Sequence, residues 1–205
     1  MLQAGLGRNR ILLAIMCIAA IALPAGCTQP SATGAQQPSQ DGRSNQYVAT
    51  LLAQGEAAAS TSPPNLAELA QIVRALEQAG ARPQSESEDP VETWRALAQE
   101  QLGAYPPFRG RLLGPTYQRL SLKAGAAFEL EQLFLAGQNA VVSTTTVEDG
   151  VTSSLTIRSS NGDIICESQG EKLTSCEWVP LFTARYRIEI RHDGPSDAAL
   201  FLTIN

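Results

Sequence analysis

The chain has 205 residues, a formal net charge of −5 and 17% charged residues. That suits one medium domain or two small ones, and it excludes a phosphate-backbone binder, which is built on clustered Lys and Arg. Four cysteines and a single histidine are poor material for a zinc centre, which asks for four tetrahedral ligands.

In chain order, the first 26 residues carry Arg8 and Arg10, no acidic residue, and the apolar stretch Ile11 to Leu23. That stretch is too short to cross a bilayer core, which needs about 20 apolar residues. A basic start, a short apolar run and small residues at its end form a secretory signal. The segment Leu23-Pro24-Ala25-Gly26-Cys27 resembles the lipobox of bacterial lipoproteins, which implies that Cys27 becomes the lipidated N-terminus of the mature chain. Leu23 stands one place earlier than in that motif, so an ordinary signal-peptidase cut guided by Leu23 and Ala25 and an uncleaved anchor remain alternatives. All three readings export the rest of the chain. Both arginines precede Cys27, so the exported part is more acidic than the whole.

Residues 27–43 continue as TQPSATGAQQPSQDGR after the cysteine, without an apolar period. Such composition reads as a flexible tether. From 44 to 104 the pattern becomes helical. Tyr47, Val48, Leu51 and Leu52 share one face. Asn65 and Glu68 form a capping box ahead of Leu66, Leu69, Ile72, Val73 and Leu76, with Gly80 and Pro83 as stops. Asp89 caps a third helix, with Pro90 at its first position, Glu92 completing the box, Trp94, Leu97 and Leu102 turned inward, and Gly103 closing it. The stripe is thin and Ala-rich, so this module is expected to pack on the following domain or on a partner.

After Pro106-Pro107 the period changes to two. Phe128, Leu130, Gln132 and Phe134 alternate with Glu129, Glu131 and Leu133; Leu155 and Ile157 form a second such run, Tyr186, Ile188 and Ile190 a third, Leu200, Leu202 and Ile204 the last. Turns at Gly137, Gly150, Gly162 and Gly194 separate about eight short strands. The expected fold is a mainly β C-terminal domain over 105–205, an antiparallel jelly-roll-like β-sandwich, preceded by the small α-helical module.

The stretch from Phe134 to Asn205, with Leu155-Thr156-Ile157 before the Asn161-Gly162 turn, Trp178-Val179-Pro180, an aromatic strand through Tyr186 and a last amphipathic strand, resembles the bacterial pre-peptidase C-terminal domain. The resemblance covers residues 112–205 and implies a small jelly-roll-like sandwich of the kind carried by secreted proteins. Family members usually carry an Asp-x-Asp-Leu-like run where this chain has Thr152-Ser153-Ser154-Leu155, and a Gly at Ala184. Calcium prefers anionic oxygen ligands, so no metal role carries over, and no cofactor is expected.

Cys17 falls in the signal and Cys27 in the lipobox, which leaves Cys166 and Cys176. In an oxidising compartment these two are expected to form a disulfide. The polar turn Gln169-Gly170-Glu171-Lys172 predicts a β-hairpin with Cys166 directly opposite Cys176 and Trp178 on the same side. His192, beside Asp193 and Gly194, has no Gly-x-Ser-x-Gly elbow to serve and reads as a solvated strand-end residue. Glu129 and Glu131, like Arg185, Arg187, Glu189 and Arg191, read as the wet face of a half-buried sheet. The aromatics Phe128, Phe134, Trp178, Tyr186 and Phe201 read as core. Tyr105 and Phe108, flanking the proline pair, mark a possible binding edge or a seal between helices and sandwich.

These readings converge on an exported protein of the bacterial envelope, attached to the membrane through its N-terminal lipid. It is expected to be no enzyme but a binding or accessory module that meets an envelope protein or glycan and no nucleic acid. The rival is a structural protein that oligomerises through Ala-rich helices; an unrecognised hydrolase comes third. Cys27→Ala is expected to abolish metabolic labelling by palmitate and to release the protein from membranes. Labelling that survives the substitution refutes lipidation at Cys27.

Overall fold

A computed structural model describes residues 39–84, 89–103 and 113–205; Cys27, Tyr105 and Phe108 lie outside them. The described residues belong to one compact unit. It opens with helices α1 (Gln40–Ser60) and α2 (Leu66–Gln78), a two-residue strand β1 (Arg82–Pro83), and helices α3 (Pro90–Leu97) and α4 (Gln99–Leu102). Eight strands follow: β2 (Thr116–Leu122), β3 (Ala127–Phe134), β4 (Ala140–Thr146), β5 (Ser153–Arg158), β6 (Ile164–Gly170), β7 (Leu173–Trp178), β8 (Ala184–His192) and β9 (Ala198–Ile204).

One sheet has the order β1-β2-β9-β4-β7 and the other β3-β8-β5-β6. Only the β1–β2 pairing is parallel; the ladders among the eight longer strands are antiparallel. That order is the jelly roll, two four-stranded sheets in which the chain passes repeatedly from one sheet to the other. The fold is thus the antiparallel sandwich that the period-two runs predicted. Between the sheets lies an apolar core that includes Val142, Leu155, Ile157, Ile188, Ile190, Leu200 and Leu202.

The helices form where caps satisfy their first free N–H groups. Ser39 Oγ accepts from Gly42 N at 2.9 Å, Asn65 Oδ1 from Glu68 N at 3.3 Å, and Asp89 Oδ1 from Val91 N at 2.9 Å. The first of these moves a boundary. Helix α1 begins at Gln40, inside the stretch read as tether, because its Gln-Asp-Gly-Arg start has no apolar period and only the Ser39 cap marks it. The capping boxes also differ from expectation. The Glu68 carboxylate meets the Asn65 side-chain amide, and Glu92 pairs with Arg95.

The helices pack on the outer face of the five-stranded sheet. Val48, Leu52, Leu69, Val73 and Trp94 share a second core with Tyr117 of β2 and Phe201 of β9. Trp94 meets Phe201 edge-on at 6.3 Å between ring centroids. Phe201, read as sandwich core, therefore serves the helix layer. Two expected core positions face water, Tyr47 at 52% and Leu97 at 45% exposure. Polar ties cross the same interface: Arg119 to Glu56 at 2.6 Å, Asn45 Nδ2 to Ser143 Oγ at 3.0 Å, and the Tyr117 hydroxyl to Asp89 at 2.6 Å. Burial, with the Asp89 hydrogen bond adding to it, raises the Tyr117 pKa far above that of a free phenol.

Gly55 sits in the middle of α1 with the Trp94 ring against its backbone; a Cβ there would lie 2.3 Å from the ring. Glycine inside a helix ordinarily costs about 1 kcal/mol relative to alanine, so its presence marks a close approach. Gly55→Ala is therefore expected to lower stability by about 1–3 kcal/mol through overpacking, read as a fall in the urea midpoint. A gain in stability would show that Trp94 can move aside.

Candidate functional site

The strand order gathers loops β3–β4, β5–β6 and β7–β8, the start of β2 and the end of β9 at one end of the sandwich. The same end receives the chain at Ser39, whose N–H donates to the Glu177 carboxylate at 3.3 Å while Asn139 Nδ2 donates to Ser39 Oγ at 2.8 Å. Burial alone would raise the Glu177 pKa. The hydrogen bonds from Ser39 and Asn139 outweigh it and hold the carboxyl below its ordinary range.

Beneath these loops lies an aromatic cluster. Phe134 meets Trp178 edge-on at 4.8 Å and Tyr186 at 5.9 Å, with Trp178 and Tyr186 5.6 Å apart. The Trp178 indole N–H is buried with no hydrogen-bond partner. Next to the cluster the Cys166–Cys176 disulfide closes with a Cα–Cα distance of 5.9 Å. The pairing matches expectation and the hairpin does not. Cys166 lies on β6, whose neighbour is β5, and Cys176 on β7, whose neighbour is β4. The chain reversal at Gly170 carries it from one sheet to the other, and the disulfide joins the edges of the two sheets.

Above the cluster, the β7–β8 loop presents Val179, Leu181 and Phe182 to solvent, the last two 83% and 77% exposed. This loop is held at its base. Pro180 is buried, its carbonyl accepts from Gly137 N at 2.9 Å, and Thr183 Oγ1 accepts from Ala136 N at 3.0 Å. Leu135, half exposed, extends the apolar surface across the β3–β4 loop. Sequence reading missed this surface, because Trp-Val-Pro-Leu-Phe looks like buried strand; the proline between two uncharged apolar pairs was the available sign of a loop.

A cleft of about 300 Å³ opens beside it, lined by Arg82, Gln132, Gln138, Asn139, Leu135 and Asn205 among others. The amides offer paired donors and acceptors. Among the described residues that line it, no side chain is a carboxylate, an imidazole or a thiol.

The remaining candidates lie elsewhere. His192 is fully buried, against the solvated reading. Nδ1 accepts from Gly194 N at 3.3 Å and Nε2 lies 2.6 Å from the Ser196 carbonyl, so it locks the β8–β9 turn at the far end. Gly194 is required there, since a Cβ would lie 2.4 Å from the ring. Glu129 and Glu131 approach Arg187 at 4.0 and 3.8 Å on the exposed face of β3 and β8, a wet sheet surface. Among the described residues no group of three or more His, Cys, Asp or Glu side chains is placed to hold a metal, and no helix is long and apolar enough to cross a membrane.

No family model matches the sequence, and no curated protein matches it. Among solved structures, the pre-peptidase C-terminal domain of a Bacillus anthracis collagenase aligns at 13% identity and a TM-score of 0.39, over 44% of this chain and 88% of that one. A periplasmic inhibitor of g-type lysozyme from Aeromonas hydrophila aligns at 10% identity and 0.33, over 44% and 86%. A mitogen from Yersinia pseudotuberculosis aligns at 7% and 0.35, over 45% and 85%. The jelly-roll assignment rests on the strand order.

Replacing both Cys166 and Cys176 by alanine is expected to cost about 2–3 kcal/mol of stability, chiefly by freeing the unfolded chain. Because the bond joins two sheets, the loss should also raise amide exchange in β6 and β7 more than in β4 and β9. Uniform exchange across all four strands would contradict an edge-stapling role.

Proposed function

We propose that this is an exported, lipid-anchored protein of the bacterial envelope whose sandwich is a non-enzymatic binding module, and that the loop end is its working surface. The observation that carries the reading is the cleft: among the described residues it is lined by the amides of Gln132, Gln138, Asn139 and Asn205 and by no acidic or histidine side chain, and it lies beside a braced apolar loop. Such a mixture of polar amides and apolar rim suits an envelope protein or glycan held by hydrogen bonds and burial. Export is supported by the disulfide, which persists in oxidising compartments, and anchoring by the lipobox-like residues ending at Cys27. The rival role, oligomerisation through the helices, has less to stand on. Their apolar stripes are buried against Tyr117 and Phe201.

A photo-reactive residue placed at Gln138, in the cleft, is expected to give crosslinked adducts in living cells, and one at Gln71, on the exposed side of α2, none. The opposite pattern, self-adducts from Gln71 and silence at Gln138, would replace the binding module with a helix-mediated assembly.

A further inference from the structure

We infer that the apolar loop end is a membrane contact: Leu181 and Phe182, with Leu135 beside them, enter the interface of a lipid bilayer and orient the domain on it. The inference rests on the reading of Cys27 as a lipidated N-terminus and goes beyond it by naming which surface faces the bilayer.

Four observations favour a lipid surface as the occupant. First, the exposure is deliberate in the physical sense. Leu181 and Phe182 are more than three-quarters exposed on a loop whose base is buried and hydrogen-bonded, so the side chains are held out and do not fold back. Second, residues 132–140 and 178–184 contain no Asp, Glu, Lys or Arg, in a chain that is otherwise acidic. The acids around these stretches are engaged: Glu177 by Ser39 and Asn139, Glu131 by Arg187, and Asp163 of the β5–β6 loop by the Ser159 hydroxyl at 3.5 Å. The nearest base, Arg185, is exposed and joins none of the ion pairs among the described residues, which leaves its guanidinium for headgroup phosphate.

Third, the chain enters the folded unit at this end. Ser39 is twelve residues beyond Cys27, and a flexible chain of that length spans roughly 20 Å, so a lipidated Cys27 brings this end within reach of the membrane. Fourth, the shape is a protrusion of small area. Leu181 and Phe182 are not among the residues that line the cleft, so a partner held in the cleft leaves their side chains to a lipid surface. Apolar side chains flanked by a base are the arrangement by which a surface segment seats in the headgroup region. The opposite end carries Asp149, Glu171, Asp193 and Asp197 in its loops against Lys123 and Lys172, an acidic excess that anionic headgroups would repel.

The test uses the full chain carrying its native N-terminus, reconstituted in phosphatidylcholine–phosphatidylglycerol vesicles. The fluorescence added by Phe182→Trp, and separately by Leu181→Trp, is expected to shift to the blue and to be quenched by lipids brominated near the glycerol end of the acyl chain. Gln71→Trp should show neither change. Mass spectrometry of the same preparation reads the anchor independently. An acylated chain that sediments with vesicles while both loop variants stay unquenched overturns the membrane contact alone. In that case, a shift that depends on protein concentration identifies a second copy as the occupant. An N-terminus without acyl groups overturns the lipid-anchor reading, and this inference falls with it.

Discussion

The five-stranded sheet is covered on both faces, and the rest of the molecule is arranged around that constraint. A half-wet antiparallel sheet needs only one apolar face. Here the second face is covered by helices, and each of the four longer strands gives a tie. Tyr117 and Arg119 of β2 reach Asp89 and Glu56, Phe201 of β9 meets Trp94, Ser143 of β4 takes Asn45, and Glu177 of β7 holds Ser39. Strand β4 shows the consequence: all seven of its residues are buried, although four of them are Ser or Thr. Buried hydroxyls must find partners. Ser143 bonds Ser175 at 2.9 Å and Thr144 bonds Thr174 at 2.6 Å, so hydroxyl pairs replace part of the apolar packing.

This double burial sets how much of the fold could be read from the residues. Strands β3 and β8 were legible because their outer faces are wet: Glu129 and Glu131 against Arg187 keep a strict period of two. Strand β9 was legible on its inner side, Leu200, Leu202 and Ile204. Its outer side was not, because Phe201 breaks the alternation only if one knows what covers it. The helix layer was legible as amphipathic stripes with caps at Asn65 and Asp89, whereas the start of α1 was hidden in a polar run. Leu97 looked inward by spacing alone, but α3 ends there, and its buried side is carried by Val91 and Trp94.

The disulfide and the histidine show a different limit. Composition and compartment were enough to pair Cys166 with Cys176. A Gly-containing reversal, however, has the same local chemistry whether it turns within one sheet or passes to the next. The choice is made by the jelly-roll order, which is a property of the whole chain. His192 was misread for a related reason: period two places it on the inner face of β8 beyond Tyr186, Ile188 and Ile190, and the tight Gly194 turn closes over it. The apolar loop end escaped because Val179, Leu181 and Phe182 differ from core residues only in where the chain leaves them.

The loop end is apolar at its tip yet braced from below, and the two facts belong together. An exposed Phe and Leu on a loose loop would collapse onto the nearest apolar surface. These cannot, because buried Pro180, its bond to Gly137 and the aromatic cluster over the Cys166–Cys176 staple fix the backbone beneath them. The opposite end has the reverse character: charged turn tips at Lys123, Asp149, Lys172 and Asp197, with the His192 ring locked inside. A jelly roll alternates its loops between two ends, so the sequence of a single chain can give each end its own chemistry while both sheets share one core. The resulting axis runs from a braced apolar loop beside the chain's entry at one end to charged turn tips at the other, and neither end disturbs the strand pairing that both depend on.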